Sequence, residues 1–336
     1  AAERLSASLD AVAEGEGVGA EMLGVWAGAE AEPVGSRLPR EYRRVTLSCL
    51  GAALKLLRFP EKVWFQTFRR LDASLAAWAD IDEEEQRRRL PVTCVALIRA
   101  AMKFERARWR DATSVAVQSL RAAFAQMGLV LPELWIPSDT QTTREEHRVL
   151  EALGWRWEVP SIETWVHAAS RRLHVMTCGR WREVSEWCYA FAVSQAYVLV
   201  VWHGTGSRPP SQRLLAVGAV ALGLVVAGAL PLQALRPLSA SHSVWERSFG
   251  QVVQGSEVHV CPDAPGVAEA SMVVLAAAAG LAVREIQEAT DVTMRCLLEA
   301  QGEAAAFGAR AIPSLDAVAG AGRARDQGGV PTPRLP

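Results

Sequence analysis

Residues 90–106, LPVTCVALIRAAMKFER, and residues 143–157, TREEHRVLEALGWRW, decide how this chain is read. In the first, Leu90, Cys94, Leu97, Ile98 and Ala101 recur at helical spacing, followed by Lys103 and Phe104. In the second, Val149, Leu150 and Leu153 repeat the pattern, with Glu146 one turn before Leu150. Each stretch reads as a core helix that carries one charge where a charge is costly. A Lys and a Glu on packed neighbours can meet, and a paired, hydrogen-bonded charge is tolerable where a lone one is not. Glu146 has a second reading, because Thr143-x-x-Glu146 also matches a capping box at a helix start.

Working outward, residues 41–57 read as a helix stopped near Phe59 and Pro60, and Pro60 suits the first turn of the next one. That second helix runs to about Trp78, with Val63, Trp64, Phe68, Leu71 and Leu75 on one face. Residues 80–89, DIDEEEQRRR, read as a solvated loop with a helix start. Residues 112–127 form a further helix, and residues 128–140, with Pro132 and Pro137, a loop. Beyond Pro160, residues 161–173, 181–202 and 209–230 look helical, and residues 235–266 irregular with a strand at 257–261. Residues 280–301 carry a clear amphipathic pattern.

The two opening segments resemble the cyclin box. Ala101-Met102-Lys103-Phe104-Glu105-Arg106 stands where that family's third helix ends in a run like A-S-K-F-E-E. The stretch from Glu145 to Trp155 follows its fifth helix, roughly M-E-x-x-[VI]-L-x-x-L-x-[FW], and Val159-Pro160-Ser161 resembles the step into its second box. Upstream, Phe68-Arg69-Arg70-Leu71-Asp72 is similar to Y-[IL]-D-R-F, and Tyr42-Arg43-Arg44-Val45-Thr46 lies where M-R-A-I-L belongs. Four charged positions of the family thus have matches in order: Arg43, Asp72, Lys103 and Glu146. The likeness covers roughly residues 39–172 and loosens beyond, although Pro210-Ser211-Gln212-Arg213-Leu214 resembles the P-S-x-[IL]-A opening of a core helix in the second box.

The resemblance implies an all-α fold of two consecutive five-helix cyclin-like domains. It divides the chain into a leader (1–35), a first box (36–159), a divergent second box (160–310) and a disordered tail (311–336). It also implies a regulatory subunit that binds and activates a cyclin-dependent protein kinase, in the nucleus or cytoplasm. Lys103 and Glu146 would bond to the kinase, with Phe104, Leu150, Trp155 and Trp157 as apolar contacts around them. Arg43 and Asp72 would pair inside the box. Two departures stand out: Arg106 replaces the usual second Glu, and residues 107–140 are enlarged. The family's trough for R-x-L peptides is expected to be missing, because its apolar positions are matched by Tyr42, Val45, Thr46 and Cys49. A cyclin-fold adaptor without kinase activation, and a membrane-anchored helical protein, are the alternatives.

Composition bounds these readings. The 336 residues can bury two cores. Basic and acidic residues number 36 and 37, so net charge implies no nucleic-acid partner. Six scattered cysteines without a C-x-x-C pair read as reduced thiols of an intracellular protein. The six histidines are not at metal spacing, although His167 and His174 can share a helix face. No phosphate loop, nucleophile elbow or paired Cys/His appears, so no catalytic site, cofactor or metal is expected. Between Arg213 and Arg236 lies an uncharged stretch long enough to cross a bilayer, and residues 187–202 before it are also apolar. Gly218, Gly223, Gly228 and Pro231 interrupt it, and a helix apolar all round is equally what a bundle centre needs, so a membrane span is the lesser reading.

Overall fold

The computed structural model describes residues 40–78, 80–105, 111–128, 137–155, 160–202, 211–237, 241–254 and 268–307. The expected leader, tail and strand at 257–261 lie outside the described residues, as does Trp157. Among the described residues the protein is all-α, without strands.

Five helices make the first half: α1 (Arg40–Leu56), α2 (Glu61–Ala77), α3 (Glu83–Phe104), α4 (Ala112–Gln126) and α5 (Asp139–Ala152). Helix α1 ends with Arg58 in the left-handed region (φ 61°), and the Phe59 amide donates to the Leu54 carbonyl at 3.0 Å. Pro60 then takes an extended conformation as N-cap of α2, one residue outside the position expected for it. Asp82 caps α3 by accepting from the Glu85 amide at 3.0 Å. Glu83, Glu84 and Glu85 fill its first turn, where the helix dipole favours carboxylates. The acidic half of DIDEEEQRRR therefore opens the central helix, and the loop is shorter than its polarity suggests. Helix α3 continues through Pro91, which removes one rung of its hydrogen-bond ladder.

Helix α3 packs against each of α1, α2, α4 and α5. Val95, Ala96, Leu97, Ile98 and Ala101 on it are fully buried. Thr46 and Cys49 of α1 also face inward, with Tyr42 left exposed, so the positions matched to the peptide trough belong mostly to the core.

The second half contains α6 (Ile162–Met176), α7 (Arg182–Trp202), α8 (Gln212–Val226), α9 (Leu232–Leu235), α10 (His242–Val252), α11 (Ala268–Ala279) and α12 (Val283–Phe307). The region expected to be irregular thus holds α10, and the amphipathic run from Gly280 is the last of two helices. Helix α8 is buried nearly all round and packs against α6, α7 and α12. Its glycines serve close approach. A Cβ on Gly218 would stand 2.1 Å from Thr293 Oγ1 and 2.7 Å from the Ala289 carbonyl of α12. The uncharged stretch that invited a membrane reading is divided by a left-handed Gly228 (φ 73°) after the 15-residue α8. Helix α7 is long and apolar enough to cross a membrane, and 61% of its most apolar window is buried in the protein.

Two arginines hold the end of α11. Arg172, fully buried, donates to the carbonyls of Ala277 and Ala278, both at 2.9 Å. Arg213 donates to those of Ala279 and Gly280 at 3.0 and 2.9 Å while lying over the Trp165 ring. They lie at the end of the helix, where its dipole makes carbonyls attractive to a cation, and Ala277 also accepts from the Gly280 amide at 3.2 Å.

Arg43 and Asp72 form a two-pronged ion pair between α1 and α2, with both contacts at 2.7 Å. Mutating either to Ala should destabilise the chain by about 2–4 kcal/mol, because a buried partner is stranded. The value for Arg43→Ala should fall at the low end, since the Asp72 side chain it leaves keeps 34% exposure. The double variant should lose less than the two single losses summed. Strict additivity in urea melts would show that the pair carries no coupling.

Candidate functional site

The charges singled out in the sequence meet where α3 packs on α5. Lys103 donates to Glu146 Oε2. Glu146 is itself buried, and its second, deeper partner is Arg99, one turn before Lys103 on the same face of α3. Arg99 donates from Nε to Glu146 Oε1 at 2.8 Å and from Nη2 to Oε2 at 3.1 Å. Its remaining donors reach Thr143 Oγ1 and Thr113 Oγ1, each at 2.9 Å, and Asp139 Oδ1 at 3.2 Å. All five N–H groups of this guanidinium are thereby used, in a geometry suited to its planar fork.

The capping-box reading of Glu146 is incorrect. Helix α5 begins a turn earlier than expected, capped by Ser138, whose box partner is Gln141. Thr143 and Glu146 lie within the helix and turn toward Arg99. The neighbouring Glu145 is also buried, accepting from Thr93 at 2.9 Å, Arg148 at 3.1 Å and Arg89 at 3.3 Å. Arg89 in turn lies 4.8 Å over the Trp78 ring. Adjacent carboxylates on α5 thus serve two separate polar clusters on α3.

The Lys103 side chain is 58% exposed, and large apolar groups elsewhere on α3 and just past α5 also face solvent. Phe104 is 50% exposed and its ring lies 5.8 Å from the Arg70 guanidinium. Trp155 is 59% exposed, its ring edge-on to His147 at 5.7 Å. Leu150 is half-buried, and its carbonyl accepts from the Trp155 amide at 2.8 Å. Gly154 (φ 57°) and Trp155 (φ 60°) are both left-handed. That is free for glycine, but for a bulky residue it costs about 1–3 kcal/mol, the kind of strain that gathers at functional sites.

A second polar locus lies in a cleft of about 560 Å³ between α6 and α7, where His167 and His174 share one wall. Beneath it the buried Glu163 accepts from Tyr189 Oη at 2.8 Å, and the His167 ring stands edge-on to Tyr189. Burial raises the Glu163 carboxyl above its ordinary value of 4.5, and the Tyr189 hydrogen bond only partly offsets this. The folded state therefore holds this proton more tightly than the unfolded chain. The associated stability is present below about pH 4.5 and is lost as pH rises through the folded value. Glu163→Gln keeps an acceptor for Tyr189 and should gain stability relative to the parent as pH rises above about 4.5. Denaturant melts across that range check it; a constant difference would mean that Glu163 titrates normally.

Cys49, Cys94, Cys188 and Cys296 are buried free thiols, and Cys178 is exposed. Burial pushes the Cys94 thiol up to about 12, so it is inert at neutral pH. Among the described residues no group of three or more His, Cys, Asp or Glu is placed to hold a metal ion.

The described residues thus form an all-α protein in which Lys103, Phe104 and Trp155 are exposed in the first half. It matches no protein-family model, no curated protein and no solved structure.

Proposed function

We propose that this chain is a cyclin-like regulatory subunit, built of two helical boxes, that binds and activates a cyclin-dependent protein kinase. The observation that carries the reading is the α3–α5 surface. An exposed Lys103 tops the buried Arg99–Glu146 network, the solvent-facing Phe104 follows it at the end of α3, and Trp155 is exposed beyond the end of α5. Strong interface centres have this composition, aromatic anchors beside a charge that can be desolvated. The packing of α3 against four other helices, and the Arg43–Asp72 pair between α1 and α2, agree with the box resemblance. The second half departs from five helices, with seven among the described residues. In this reading the first box spans 36–159 and the second 160–310, and the protein works inside the cell, in nucleus or cytoplasm. It has no catalytic site of its own and binds neither nucleic acid nor membrane.

Activation would be a population shift: the subunit binds better to the kinase conformation whose catalytic ion pair is formed. Lys103→Ala and Trp155→Ala should each weaken binding to a copurifying kinase by at least about tenfold, while circular dichroism and melting stay close to the parent. Titration calorimetry measures it. Unchanged affinity in both variants would remove this surface from the interface.

One observation favours a second reading, an adaptor that binds without activating. Both oxygens of Glu146 are engaged inside the protein by Arg99, so the carboxylate the family turns toward its kinase is here held within the fold. Kinase activity measured with and without the subunit separates the two.

A further inference from the structure

The two halves meet where α1 and α2 pack on α6 and α7, and Arg43 lies at the centre of that junction. Its Nε and Nη2 hold Asp72, while Nη1 donates to the carbonyl of Val200 in the last turn of α7, at 3.0 Å. The next residue repeats the gesture: Arg44 Nη2 donates to the Trp202 carbonyl at 3.3 Å, with its guanidinium 5.7 Å from the Trp202 ring centre. The last four carbonyls of a helix have no intrahelical partner and carry the negative end of its dipole. Two of the four at the end of α7 are thus met by cations from the other half of the chain.

One turn earlier on α7, Tyr197 packs closely against Gly51 of α1. A Cβ on Gly51 would come 3.2 Å from Tyr197 Oη and 3.2 Å from Phe68 Cζ, and the Tyr197 and Phe68 rings meet edge-on at 6.0 Å. Tyr197 is buried and hydrogen-bonded to Ser48 of α1.

From this geometry we infer that Asp72, Arg43 and the end of α7 form a latch that fixes the second half on the first. Asp72 gives both its carboxylate oxygens to Arg43. It is a positioning residue: its carboxylate takes two faces of the Arg43 fork and leaves Nη1 aimed at Val200. The inference stands without the kinase reading, because every group in it belongs to this chain. Its functional consequence is that a partner spanning both halves meets one fixed arrangement, set by a carboxylate on α2.

Hydrogen exchange on the full chain tests it, in the parent, Asp72→Asn and Arg43→Lys. Either variant should speed exchange of the Val200, Val201 and Trp202 amides by about tenfold or more, because the last turn of α7 loses its cap and opens locally. The amides of α5, which lie away from the junction, should exchange as in the parent. Unchanged rates at the end of α7 would overturn the latch, and so would a uniform rise through α3 and α5, which would show that the pair supports only the first half. Gly51→Ala provides a second, independent arm: by displacing Tyr197 it should raise the same three rates with the Arg43–Asp72 pair left intact.

Discussion

Gly218→Ala is expected to destabilise the protein by about 3 kcal/mol or more, although alanine is the better helix former by about 1 kcal/mol. The clash decides the sign. The new methyl would stand 2.1 Å from Thr293 Oγ1, which is a short side chain, and 2.7 Å from the Ala289 carbonyl, which is backbone. Neither can move without separating α8 from α12, and those helices share the most deeply buried packing of the second half. Gly250→Ala is the matched control. It also lies in a helix, nothing stands within 4 Å of its Cβ position, and it should gain about 0.5–1 kcal/mol. Urea melts of the two variants measure the difference. Equal stability would mean that α8 and α12 are not in close contact through Gly218.

Glu146→Ala is expected to be the most damaging change at the candidate site, costing about 3–5 kcal/mol in folding before any partner is considered. It leaves the Arg99 guanidinium, whose side chain is 9% exposed, with only the largely exposed Asp139 carboxylate, at 3.2 Å. Lys103 suffers less, because its side chain keeps 58% exposure and water can take over. Replacing both charges, Arg99→Met with Glu146→Leu, should recover much of the loss, since two apolar groups leave no buried charge unpaired. A double variant no more stable than Glu146→Ala would show that the network contributes more than charge compensation. For the proposed interface, a loss of kinase binding in Glu146→Ala would report unfolding as much as contact, which makes Lys103 and Trp155 the cleaner probes.

How much of this was legible depends on the kind of signal. The helical spacing around Leu97 and Ile98 places α3 at the centre of the first half, and the meeting of Lys103 with Glu146 follows from two charges in two apolar stretches. Arg99 escaped notice although its signal is stronger than that of Lys103. It stands between Leu97-Ile98 and Ala100-Ala101-Met102, one turn before Lys103 on the same face. Arg172 was similarly readable, because the register of Trp165, Ala169 and Met176 puts it on the buried side while Arg171 turns outward. The start of α5 was ambiguous for a different reason: Ser138-x-x-Gln141 and Thr143-x-x-Glu146 both fit a capping box, and the choice is made by Arg99 from another helix. Helix α11 gave no periodic signal at all, because AEASMVVLAAAA is apolar in nearly every direction.

The grip of Arg172 and Arg213 on the end of α11 also decides where this chain can be divided. The two arginines are contributed by α6 and α8, yet their acceptors lie about a hundred and about seventy residues downstream, at 277–280. Any fragment that keeps α6 but stops short of Ala277 leaves the Arg172 guanidinium without its acceptors, and its folding suffers accordingly. Shortening the chain from its C-terminal side is therefore not a graded operation. A division between Trp155 and Pro160 keeps Arg43 on Asp72 and both α11 clamps with their helix, but it parts Arg43 from Val200 and Arg44 from Trp202.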